Sequence, residues 1–133
     1  MPNTKATGVA YLDPEFTTCF ASEELGYSAD AQGTVTQSTS KSTAVTLNKS
    51  AGQITMNNAA LAGTTNVTFT LNNSTISTKD VVILSVASGA TAGSYNCWVS
   101  GKGTGTCSIT VRNITGGSLS EAIVINFAII HCL

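Results

Sequence analysis

From residue 33 to residue 130, apolar residues alternate with Thr, Ser and Asn at a period of two. In Asn66-Val67-Thr68-Phe69-Thr70-Leu71-Asn72, for example, Val67, Phe69 and Leu71 fall on one face and Thr68 and Thr70 on the other, as in a half-buried β-strand. Runs of this kind predict eight strands, over 33–38, 43–47, 53–56, 65–72, 80–86, 94–100, 105–112 and 122–130. Turn-forming stretches at 49–52, 57–63, 73–78, 88–93 and 113–118 separate most of them. No helical period intervenes, so the pattern predicts an all-β chain folded as a single antiparallel β-sandwich of jelly-roll or Greek-key kind.

Two runs lose their polar face. Val81-Val82-Ile83-Leu84 and the segment 123–130 are apolar on both sides, whereas a sandwich strand normally wets one. The outward residues Val124, Ala128 and Ile130 must therefore be covered by a loop, by an arm or by another subunit. Association between copies is the expected remedy. Trp98, which alternates away from Cys97 and Val99, joins these three as a candidate self-association residue.

The first 32 residues lack the alternation and are predicted to be an extended N-terminal arm, leaving 33–133 as the sandwich domain. This arm holds most of the acidic groups (Asp13, Glu15, Glu23, Glu24, Asp30) and the aromatics Tyr11, Phe16, Phe20 and Tyr27. Spaced rings on an irregular segment bury themselves against another surface, either their own domain or a partner. Ser22 is placed to cap a single helical turn over 22–25.

Composition narrows the class. A chain of 133 residues suits one domain, and 42% hydrophobic residues are too many for a disordered polar tract. With a net charge of −1 and only 10% charged residues, neither nucleic acid nor an anionic membrane is an expected partner. The longest apolar stretch, 122–130, is interrupted by Asn126 and far shorter than the roughly 20 residues that span a bilayer. No basic start followed by an apolar core opens the chain, so a reducing compartment is expected.

Candidate chemistry is sparse. The four cysteines are Cys19, Cys97, Cys107 and Cys132. A reversal centred near Lys102 in Gly101-Lys102-Gly103-Thr104-Gly105 would set Cys97 opposite Cys107 across two strands. They could then form a disulfide or half a metal site with His131 and Cys132. The preferred reading is a reduced pair acting as small apolar residues, since a chain without an export signal is expected to fold in a reducing compartment and no metal-ligand spacing is present. The sole histidine, His131, lies near the end of the chain, and no Gly-x-Ser-x-Gly elbow accompanies it, so no catalytic residues, cofactor or metal are assigned. The carboxylates read as solvated loop charges, with Glu121 satisfying backbone donors at the turn before the last strand. The Asn-x-Ser/Thr triplets at Asn48, Asn66, Asn73 and Asn113 are expected by chance in so polar a chain. An exposed Trp98 ring could stack on a sugar, although cover by the arm or a neighbouring subunit is the preferred reading.

The stretches 33–49 and 51–62, with Ser108-Ile109-Thr110-Val111-Arg112-Asn113, Gly117-Ser118-Leu119-Ser120-Glu121-Ala122 and Ile125-Asn126-Phe127-Ala128, resemble a family of virion structural proteins of tailed bacteriophages. The resemblance covers roughly three quarters of the chain. Cys97-Trp98 and the ending His131-Cys132-Leu133 depart from the pattern. Members are capsid-associated proteins or modules of tail fibres and spikes. The resemblance thus implies a non-enzymatic capsid cement or decoration protein bound to the phage major capsid protein on the virion surface, assembled in the bacterial host cytoplasm. The arm rings Tyr11, Phe16, Phe20 and Tyr27 are the capsid-contact candidates, and a homotrimer would suit the threefold positions of such a shell. A head- or tail-fibre or tailspike module binding the host surface or carbohydrate is the alternative. The absence of an attached fibre repeat favours cement.

Overall fold

The computed structural model describes residues 15–132. A 3-10 turn, Ala29–Ala31, leads into eight strands: β1 (Gln32–Thr36), β2 (Val45–Thr46), β3 (Ala51–Thr55), β4 (Asn66–Asn72), β5 (Val81–Ser88), β6 (Tyr95–Gly103), β7 (Thr106–Asn113) and β8 (Val124–Ile130). They form two four-stranded sheets packed against each other, ordered β1-β3-β8-β5 and β2-β4-β7-β6. Between them lies a core in which Ile54, Leu71, Ile109, Val111, Ile125 and Ile129 are fully buried and Phe69 and Phe127 nearly so. Each is the inward member of an alternating run, so the period-two pattern and the core are the same fact seen at two levels.

The strand order departs from the expected all-antiparallel ladder. Chain neighbours occupy matching places in the two sheets, and only β6 and β7 are joined as a hairpin within one sheet. Every other connection crosses from sheet to sheet. Each crossing reverses the chain, so two in succession restore its direction. That is why β1 runs parallel to β3, and β2 to β4, while the β3–β8, β5–β8, β4–β7 and β6–β7 pairs are antiparallel.

Two buried asparagines knit the loops at the strand ends. Asn113 donates from Nδ2 to the carbonyls of Leu61 (2.9 Å) and Gly117 (2.8 Å), while its Oδ1 accepts from Thr115 N–H (3.0 Å) and Thr115 Oγ1 (2.8 Å). Asn73 repeats the device, reaching Lys49 O at 2.7 Å and accepting from the N–H and hydroxyl of Thr75. Two of the Asn-x-Ser/Thr triplets set aside as chance are thus Asx turns, with the hydroxyl at the third position closing the ring. Gly63 packs so close to the 114–119 loop that a Cβ there would meet the carbonyl carbon of Gly116 at 2.4 Å. Lys41, which no pattern singles out, is buried; its Nζ donates to the carbonyls of Asn57 and Glu121. Burial lowers its pKa, against the opposing pull of the Glu121 charge.

Candidate functional site

The outer face of the β1-β3-β8-β5 sheet carries an apolar patch at one end. Register pairs Val81 with Ile130 and Ile83 with Ala128, and Ala128 in turn with Ala51. Val81, Ile83 and Ile130 are each about half exposed, at 49%, 51% and 52%. The next row, Ser85, Asn126 and Gln53, is polar, and Val124 stands beyond it beside Ser88 and Thr55. Of the expected self-association residues, the structure therefore joins Ala128 and Ile130 to Val81 and Ile83. It separates Val124 by a polar row and puts Trp98 on the other sheet.

The arm ends against this sheet. The Tyr27 hydroxyl donates to Ile129 O, Gln32 Nε2 donates to Tyr27 O at 2.9 Å, and Lys49 Nζ donates to Asp30 O at 2.7 Å. Upstream of Tyr27 the chain leaves its own domain: Phe16 is 62% exposed, Phe20 91% and Leu25 89%. The helical turn expected at 22–25 is a bend; the helical turn forms at Ala29–Ala31, next to β1. Tyr11 lies outside the described residues.

Cys97 and Cys107 do not face each other. The hairpin turns at Thr104-Gly105, where Gly105 takes φ +74°, and a bulge between Val99 and Gly101 shifts the register further. Cys97 consequently pairs with Val111, and Cys107 with Lys102. Both thiols point inward, and burial pushes both pKa values up. Outward on the same sheet, Trp98 is 37% exposed beside Thr110. Hydroxyls of Thr68, Thr110 and Ser100 form a chain with spacings of 2.7 and 2.8 Å.

Sequence reasoning missed one polar cluster. The buried Asp80 carboxylate accepts from Ser77 N–H (2.8 Å), Ser77 Oγ (2.8 Å), Cys132 N–H (2.9 Å) and His131 Nδ1 (3.0 Å). The backbone N–H groups of Ser77 and Cys132 lead in holding this carboxyl well below the usual carboxylate range, outweighing desolvation. Lys102 Nζ donates to Asp80 O, and His131 Nε2 lies 3.3 Å from Ser50 Oγ. The row Asp80, His131, Ser50 has the order of an acid, base and hydroxyl nucleophile. Its surroundings fit a latch instead. The hollow beside it, about 430 Å³, is lined by Thr75, Ser77, Thr78, Lys79, Asp80, His131 and Cys132, and Ser50 is not among them. A substrate seated there would meet the base without the nucleophile, while the saturated Asp80 ties the end of β8 to the start of β5. No local signal could have shown this, because Asp80 and His131 are 51 residues apart.

Among the described residues, no group of three His, Cys, Asp or Glu side chains is placed to hold a metal ion. No helix of the described residues is long and apolar enough to cross a membrane. The chain matches no protein-family model, no curated protein and no solved structure.

Proposed function

We propose that this protein is a structural component of a tailed-bacteriophage virion: a cement or decoration protein that binds the major capsid protein and stabilises the shell. The observation that carries this reading is the arm, which leaves the sandwich with Phe16, Phe20 and Leu25 exposed, on a chain whose sheet also exposes an apolar patch at Val81, Ile83 and Ile130. A cement protein needs a stiff body, a self-association surface and an extended segment whose rings lie across neighbouring shell subunits. The sandwich, in this reading a jelly-roll or Greek-key relative with two parallel edge pairs, is the body. Residues around Ile83, Ala128 and Ile130 are the surface, and the arm is the tie. A homotrimer suits the threefold positions of an icosahedral shell. The protein would be made in the bacterial cytoplasm and act on the capsid surface without enzymatic activity. Purified protein is expected to be oligomeric in light scattering and to sediment with expanded capsids; a monomer that stays in the supernatant contradicts the reading.

A second reading rests on Trp98 and the hydroxyl chain beside it, which would suit a fibre or tailspike module that stacks an aromatic ring on a glycan. Glycan-array binding abolished by Trp98→Ala would favour it over the first.

A further inference from the structure

A sheet edge is a row of unpaired backbone donors and acceptors, and proteins usually blunt it. Among the described strands, two of the four edges are blunted: β2 has only two residues, and β6 carries a bulge and Lys102. A third, β1, is five residues long and polar where Gln32, Thr34 and Thr36 face outward. The fourth, β5, is eight residues long and pairs only with β8 among the described strands. It contains no charge, proline or glycine, and its sole irregularity lies at its far end, between Val86 and Ser88. Its outward residues Val81 and Ile83 belong to the apolar patch.

The arm holds a segment matched to this edge. Phe16-Thr17-Thr18-Cys19-Phe20-Ala21 is uncharged, free of proline and glycine, and rich in aromatic and β-branched residues. In extended form, Phe16, Thr18 and Phe20 share one face, so a strand laid along β5 with Thr18 opposite Ile83 would set one ring beside Val81 and the other beside Ser85, flanking Ile83. The charges agree: Glu15 and Glu23 bracket the segment, while Lys79 and Lys102 stand at the Asp80 end of β5. Tyr27, held on Ile129 O, brings the chain within a strand or two of its own β5, yet residues 15–26 are exposed throughout and do not pack there. The occupant is then another copy.

We infer that residues 16–21 of one copy add as a strand to the β5 edge of the next, closing a ring by exchanged arms. The inference rests on the self-association proposed above, names its geometry, and gives Phe16 and Phe20 to a neighbouring copy, so that the tie across the shell is the ring of linked bodies and not these two side chains. Aromatic side chains bury roughly 150–250 Å² each. Two rings, the patch they cover and a six-residue strand thus reach the order of 1,000 Å² per exchange, the threshold of a specific interface. Such a head-to-tail contact repeats around a closed ring.

The test uses the full chain under reducing conditions, so that exposed Cys19 forms no crosslink. Light scattering should give an oligomer for the wild type and monomers for Phe16→Ser/Phe20→Ser and for Ile83→Lys. Both changes are at exposed positions, and unchanged circular dichroism would verify the fold. Mixing the two variants should yield a two-chain complex, because the intact arm of one fits the intact edge of the other. The exchange is overturned by a monomeric wild type, by an oligomer that survives either variant, or by a mixture that stays monomeric. Sedimentation with expanded capsids separates the two claims. A chain that binds shells without exchanging contradicts only the exchange, and one that exchanges without binding shells contradicts only the cement reading.

Discussion

Asn113 makes four hydrogen bonds at zero exposure, which makes it a sharp test of how the strand ends are held. Asn113→Ala removes all four, but the partners suffer unequally. Leu61 O keeps the N–H of Leu119 at 3.0 Å, and Gly117 O, 3.0 Å from Thr115 Oγ1, takes over the one hydroxyl proton that Asn113 Oδ1 no longer accepts. Only the Thr115 N–H loses its acceptor outright. Orphaning one donor costs about 1–3 kcal/mol and each of the other three bonds about 0.5–1.5, so a net loss of at least about 3 kcal/mol is expected. For a domain of this size that corresponds to a fall in Tm of roughly 10 °C. Urea denaturation by circular dichroism and fluorescence together measures it and checks two-state behaviour. Asn113→Asp keeps the acceptor but turns a second oxygen on two carbonyls, and should be no better than Ala near neutral pH. Thr115→Val should cost only about 1 kcal/mol, the hydroxyl's share. If Asn113→Ala falls within the roughly 0.5 kcal/mol typical of inert surface changes, the assignment of these triplets as turn locks is wrong.

Gly63→Ala should destabilise by roughly 1–3 kcal/mol in the same assay, because its Cβ meets backbone rather than a movable side chain. The Asp80 carboxyl titrates below its unfolded value of about 3.9, so the folded state binds fewer protons than the unfolded one. Its stabilisation is complete above about pH 5 and is lost progressively as pH falls from there toward the depressed folded value. Urea midpoints measured from pH 6 to pH 3 should accordingly fall less steeply in Asp80→Asn than in the wild type. A fluorophosphonate probe should leave Ser50 unlabelled; labelling that disappears in His131→Ala would show that the Asp80, His131, Ser50 row is a nucleophile and not a latch.

The eight strands were legible because each buries one face, and burial writes a period of two into the sequence. What was not legible depends on contacts between distant segments. The parallel pairing of β1 with β3 follows from where the chain crosses between sheets, which local alternation does not record. The misplaced pairing of Cys97 with Cys107 came from a loop offering Gly101, Gly103 and Gly105 as pivots. Only the backbone conformation, with positive φ at Gly105, decides the register. The run 43–47 shrank to Val45–Thr46 because the Gln37 side chain holds the carbonyls of Lys41 and Thr43 in a turn. At the candidate site, the loss of the polar face at 81–84 and 123–130 did mark the patch. It could not place Val81 beside Ile130, nor show that Val124 stands apart from them.

The central claim is that this sandwich binds a phage shell, and electron cryomicroscopy of the intact particle tests it most directly. The account predicts density for the two-sheet body on the outer capsid surface, clustered about symmetry axes, with residues 16–21 extended onto neighbouring chains. Density on the tail or its fibres, or none on the head, would contradict it.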